Sequence, residues 1–307
     1  MSAGLVAGQV RARALARNAL GPERVRTIAR SVSVQEAFAA LSATPYGKTL
    51  PAEPGVDAAQ HAVASSLLWH LRVLAGWLPR KGVTALRALA GWFELANIDG
   101  LLQRLEGRPA EEPYALGALK TAWPLLVDVP DTEALRERLA ATPWGDPGAA
   151  DPYGIRLFLR LSWAWRVSGI GGRAAEWAAG AAAVLVAGER FGAARELPEG
   201  AFGRAARLLG RAALDAPSLP EMAGRLDRHA RWPFEGIDDA AGLWRAETRC
   251  WHRLEDDGKA LLRGSAFDIG PIVGAVAVLA ADARRIRAAL EMAARGGGPG
   301  EAFDEVA

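Results

Sequence analysis

Residues Ala58–Leu78 read AAQHAVASSLLWHLRVLAGWL, with Val63, Leu67, Leu71, Leu74 and Leu78 separated by steps of three and four. That spacing lays one apolar stripe along a helix, and Pro79 then stops the segment. Trp69, Val73 and Trp77 make the other side apolar as well, so this helix is expected to lie between neighbours. A second long segment, from about Pro271 to Arg295, places Val276, Leu279, Ala283, Ile286 and Leu290 on one stripe, with Asp282, Arg284, Arg287 and Glu291 on its polar face. Strand-like alternation is scarce elsewhere, and most windows are rich in Ala, Leu, Arg and Glu, which lose little free energy on becoming helical. The sequence therefore predicts an all-α chain. Breaks are expected near Pro51–Gly55, at Arg108–Pro113, across Trp144–Gly154 and around Gly258–Phe267, and the Gly- and Pro-rich Trp144–Gly154 reads as the main linker.

The 307 residues are 50% hydrophobic, and 37 basic against 35 acidic side chains leave a net charge of +2. Such a chain can bury enough surface to fold, and its near-neutral balance argues against a nucleic-acid binder. Cys250 is the single cysteine, which excludes an internal disulfide and fits a reducing compartment. The longest apolar runs, Trp177–Ala187 and Gly270–Ala281, fall short of the roughly 18 to 20 residues that span a bilayer. Arg11, Arg13 and Arg17 interrupt the opening before a signal peptide forms, so a cytoplasmic protein is expected.

Self-comparison is informative. Thr44-Pro45-Tyr46-Gly47 recurs as Thr142-Pro143-Trp144-Gly145, 98 residues on, and the match extends back through Leu41 and Leu139 to Ser33 and Asp131. Each copy reads as a helix cap, a short amphipathic helix and a Pro-aromatic-Gly turn. Ser218, Pro220, Leu226 and Trp232-Pro233-Phe234 follow the same outline without the Thr and Gly. A second pattern relates the long helices: Glu94, Asn97, Ile98 and Leu102 align with Asp282, Arg285, Ile286 and Leu290 at an offset of 188. The two repeats together predict three related helical units: 1–110, closed by a C-terminal helix over 271–295, then 111–195 and 196–295, followed by a flexible tail over 296–307.

In these motifs the chain resembles the C/d subunit family of V-type and A-type rotary ATPases. Val10-Arg11-Ala12-Arg13-Ala14-Leu15 looks like that family's Arg-rich first helix, and Ser33–Leu50 is similar to its LL..T.YG segment. Glu94–Arg104 resembles its D..N(I/L)...LR helix, and Asp282–Arg287 its closing E..NIR. Departures are Glu at 94 for Asp, Gln103 where arginine is expected, Arg285 for Asn, and the loss of the polar pattern over Trp177–Glu189. The resemblance implies a funnel of three units on the cytoplasmic face of the membrane, a non-catalytic socket coupling central-stalk subunits to the proteolipid ring during ATP-linked proton or sodium transport. It implies no cofactor, small-molecule substrate or nucleic acid.

Tyr46 and Trp144, as turn aromatics, and Glu94, Asp282 and Arg287, from the helix repeat, are the candidate partner contacts; the competing expectation is that they satisfy one another within the chain. No catalytic or metal site is expected. Cys250-Trp251-His252 lacks further zinc ligands, and Asp238-Asp239-Ala240-Ala241-Gly242 fails the DDxxD pattern of a terpene synthase at its last position. Gly169-Ile170-Gly171-Gly172 lacks the Lys-Ser/Thr ending of a phosphate-binding loop and reads as a turn. A free-standing helical-repeat scaffold for soluble proteins is the alternative reading.

Overall fold

A computed structural model describes residues 3–53, 55–265, 268–298 and 303. Helix accounts for 73% of it and no strand occurs among the described residues, so the chain is all-α. In chain order the helices are α1 (Ala3–Ala16), α2 (Gly21–Ala29), α3 (Val34–Ser42), α4 (Val56–Ala75), α5 (Arg80–Leu105), α6 (Trp123–Leu126), α7 (Thr132–Ala140), α8 (Pro152–Ser168), α9 (Gly172–Ala187), α10 (Glu199–Leu209), α11 (Arg211–Leu214), α12 (Leu219–Arg225), α13 (Arg228–Arg231), α14 (Leu243–Arg263) and α15 (Gly270–Ala294). They form two compact units, one of Met1–Val83 with Trp251–Ala307 and the other of Thr84–Cys250.

In the first unit α15 is the central element, packed against α1, α2, α3 and α4. Its apolar stripe is buried, Ile286 and Leu290 completely, and two polar residues, Asp282 and Arg285, are buried with it. The break expected around Gly258–Phe267 starts only at Gly264, because α14 continues to Arg263 and Gly258 is helix interior. Its glycine serves packing: a Cβ on Gly258 would stand 2.9 Å from the Ala277 Cβ, and one on Gly274 would meet the Gly258 carbonyl at 2.6 Å. The free energy of that close contact outweighs the modest cost of a glycine in a helix.

Helix α4 buries Val63, Leu67, Leu71 and Leu74 as its spacing requires. Its other side is not covered as expected: Trp69 and Trp77 are about half exposed, at 52% and 51%. Apolar residues on two sides carry no information on whether the chain supplies a second neighbour.

In the same unit Glu255 accepts from Arg285 Nη2 and lies 2.8 Å from Lys259 Nζ. Burial pushes the Glu255 carboxyl up, but the Lys259 hydrogen bond and the Arg285 charge outweigh it and hold the group below its ordinary 4.5. A carboxylate depressed in the folded state adds stability above the unfolded pKa, and that contribution disappears as pH falls through the folded one. Urea denaturation of the wild type and of Glu255→Gln is therefore expected to differ most near pH 7, with the gap closing progressively below pH 4.5. A gap independent of pH would contradict the pairing.

In the second unit α8 packs on α9 and α10, and α13 lies on α9. Trp144–Gly154 lies wholly inside this unit and is a packed loop rather than a linker. Trp144 is completely buried, Arg204 Nη2 donates to its carbonyl at 3.2 Å, and α8 already begins at Pro152. Gly145 and Gly148 have φ of 91° and 83°, so the turn chemistry was legible while its burial was not.

Helix α9 ends in a π turn over Gly188–Gly192, where Tyr153 Oη donates to Glu189 Oε2 at 2.7 Å. Ala194 follows with φ of 52°, a left-handed conformation that alanine adopts at a cost of about 1–2 kcal/mol. Ala194→Gly is expected to raise stability by about 0.5–1 kcal/mol, visible as a higher urea midpoint with an unchanged slope. Of the tail expected over 296–307, residues 299–302 and 304–307 lie outside the described residues, whereas Phe303 is fully buried.

Candidate functional site

The TPYG and TPWG copies fold alike, bond for bond. Ser33 Oγ accepts from Glu36 N at 3.2 Å and Asp131 Oδ1 from Ala134 N at 2.8 Å, starting α3 and α7. Each helix ends on a threonine that donates to the carbonyl three residues back, Thr44 to Leu41 at 2.6 Å and Thr142 to Leu139 at 2.8 Å. The same oxygens accept from Tyr46 N and Trp144 N, both at 3.2 Å. This side-chain turn aims the aromatic ring inward.

What the ring meets links the two repeat patterns. Tyr46 Oη donates to Asp282 Oδ2 on α15 at 2.9 Å, and Trp144 Nε1 donates to Glu94 Oε1 on α5 at 2.9 Å. Each carboxylate also holds the start of a short helix. Asp282 accepts from Leu20 N at 3.0 Å and Gly21 N at 2.9 Å, just ahead of Pro22 in α2. Glu94 accepts from Thr121 N at 2.5 Å and Ala122 N at 2.6 Å, just ahead of Pro124 in α6. A buried carboxylate thus ties two backbone N–H groups and one aromatic donor to a long helix, in both units. The longer Glu side chain is matched by the indole in place of the phenol, a compensation in reach that neither repeat reveals alone.

The residue three positions on has a related use. Asn97 Oδ1 accepts from Tyr114 N at 2.7 Å and its Nδ2 donates to Tyr114 O at 3.0 Å, pinning the segment after α5. Arg285, at the aligned position, instead pairs with Glu255. Burial pushes the Asp282 carboxyl above its ordinary value against the opposing hydrogen bonds from Leu20, Gly21 and Tyr46. Burial, and then the Asp282 charge, push the Tyr46 phenol well above 10, so it remains a donor.

The third outline is capped by Ser218 Oγ, which accepts from Glu221 N at 3.4 Å. Its aromatic, Trp232, lies on α9 at Gly180, where an added Cβ would stand 2.6 Å from the indole ring. Glycine there makes room for the ring, and Trp232 Nε1 donates to His229 O at 3.1 Å.

Of the five candidate contact residues, Tyr46, Trp144, Glu94 and Asp282 are at most 3% exposed and engaged with one another in pairs. Arg287 alone is exposed, with Nε 3.3 Å from Gln60 Oε1. The backbone partners at Leu20, Gly21, Thr121 and Ala122 escape sequence reasoning; the prolines at 22 and 124 are their only local signal. Among the described residues, no three His, Cys, Asp or Glu side chains gather as metal ligands, and no helix is long and apolar enough to cross a membrane. No known family model and no curated protein matches the sequence.

Proposed function

We propose that this chain is a non-catalytic central-rotor subunit of a V/A-type ATPase, a socket that couples the stalk to the proteolipid ring. The reading rests on the ordered resemblance to the C/d subunit family, and one observation supports it most: the same anchor recurs at Asp282–Tyr46 and at Glu94–Trp144. Repetition of a rigid joint, with the residue types changed but the bonds retained, suits a body built from similar modules. On this reading three such units form a funnel, the third seating Trp232 against Gly180. Torque passes efficiently only where few soft modes intervene, and buried carboxylates with all their bonds made are stiff joints. No group in the anchors changes protonation as part of the work.

The test is purification of the tagged chain from gently solubilised membranes, with mass spectrometry of what accompanies it. Recovery of a proteolipid, a coiled-coil stalk protein and Walker-motif subunits in fixed ratio is expected. A soluble monomer, or unrelated soluble partners, would overturn the reading in favour of a helical-repeat scaffold. So would turnover by the purified chain that one side-chain change abolishes.

A further inference from the structure

Helix α1 is apolar on the side that meets water as well as on the side it buries. Its exposed residues are Ala3, Val6, Val10 and Ala14, at steps of three and four, with Val10 63% exposed, and Arg17 extends the line past the helix end. Helix α4 carries the half-exposed Trp69 beside the exposed Arg72, and Trp77 follows just past its end. Both helices pack on α15 and run antiparallel against each other. A Cβ added at Gly8 would run into Leu78 Cδ2, one at Gly4 would stand 3.4 Å from the Trp77 carbonyl, and Asn18 Nδ2 lies 3.3 Å from His70 Nε2. Trp69 in turn meets the His70 ring edge-on, at 5.2 Å between centroids. Their faces turned away from α15 therefore look out on one side of the first unit.

The charge on these elements has a single sign. Between Met1 and Pro22, and again between Ala58 and Val83, the sequence holds no Asp or Glu, against Arg11, Arg13, Arg17, Arg72, Arg80 and Lys81. Arg13 is spent on the carbonyls of Leu262 and Gly264, whereas Arg17, Arg72, Arg80 and Lys81 are exposed. An isolated exposed valine needs no explanation, but apolar side chains grouped on one face and rimmed by charge of one sign mark a docking surface.

We propose that the α1–α4 face docks on an anionic lipid surface. Val6, Val10 and the two indoles enter the boundary between headgroups and acyl chains, where an apolar ring with one N–H donor is at home, and the basic side chains reach the lipid phosphates. A second copy fits less well, because a two-fold contact would press the same cations together with no carboxylate on either segment to answer them. A nucleic acid would leave Val6 and Val10 without a use. The surface belongs to this chain alone, so vesicles of pure lipid test it, and its failure leaves the rotor reading untouched.

The full chain is co-sedimented with phosphatidylcholine vesicles, with and without phosphatidylglycerol, at low and at physiological salt. Binding is expected on the anionic vesicles, at least about tenfold weaker on phosphatidylcholine alone, and weakening as salt rises. Arg17→Ser and Arg72→Ser should each lower partitioning about fivefold. Val10→Ser, at a site exposed enough to leave folding intact, should lower it by about fivefold or more. Arg136→Ser, which removes an exposed charge of the second unit paired with Asp146 and Glu133, should change nothing. Brominated lipid should quench the tryptophan fluorescence of the wild type, and less so that of the Trp69→Phe/Trp77→Phe variant. No binding to anionic vesicles, equal binding to phosphatidylcholine, or an equal loss in Arg136→Ser overturns the proposal. So does a dimer in solution that Val10→Ser abolishes, which would give the face to a second copy, or tighter binding of duplex DNA than of vesicles.

Discussion

Glu94→Ala is expected to lower the unfolding free energy by about 3–5 kcal/mol, because it strands three donors at once. Thr121 N, Ala122 N and Trp144 Nε1 all end on this carboxylate, which is 1% exposed. Water entering the space left behind would recover part of the loss, which keeps the total below three full desolvation penalties. Glu94→Gln should cost less, since its amide oxygen still accepts while its NH₂ faces a donor. Urea denaturation measures both, and hydrogen exchange at Thr121 and Ala122 reports the anchor itself: their protection should collapse in the alanine variant. A loss under about 1 kcal/mol would show that the carboxylate is not the joint described.

Trp144→Ala is expected to cost about 3–5 kcal/mol through the cavity left by a fully buried indole. Its ring supports more than the hydrogen bond. A Cβ on Gly91 would come within 3.3 Å of it, and the Arg166 guanidinium lies across its face. Because Trp144 and Glu94 share a bond, the double variant should lose less than the sum of the singles, by about 0.5–3 kcal/mol. Strict additivity in a double-mutant cycle would dissolve the pairing. Trp144→Phe keeps most of the volume and removes only the indole donor, leaving Glu94 Oε1 its bond from Ala122 N, so its smaller loss separates packing from hydrogen bonding.

The local half of this arrangement is legible in the sequence. Ser33, Asp131 and Ser218 announce helix starts, and Thr44 and Thr142 announce turns, because each acts on backbone atoms within four residues. The meeting of turn and helix is not legible, since Tyr46 and Asp282 lie 236 residues apart and Trp144 and Glu94 lie 50 apart. Both repeats are visible, yet nothing in either names the other as its partner. Gly258 misleads for a related reason: its propensity is local, whereas the approach of α15 that requires it comes from a later part of the chain. Asp282 and Glu94 are by sequence either partner contacts or residues satisfied within the chain; the structure buries both, and the backbone donors around them make that interior position tolerable.

The first unit is completed by α15, whose residues are the last of that unit's long helices to be translated. While the ribosome is still at work, Leu20, Gly21 and Tyr46 wait without the carboxylate that will receive them. By contrast, Glu94 precedes Thr121, Ala122 and Trp144, so the second anchor can close within about 50 residues of its first member. Vectorial synthesis therefore sets an order: the middle of the chain can settle first, and its leading helices remain a client for chaperones until the far end arrives.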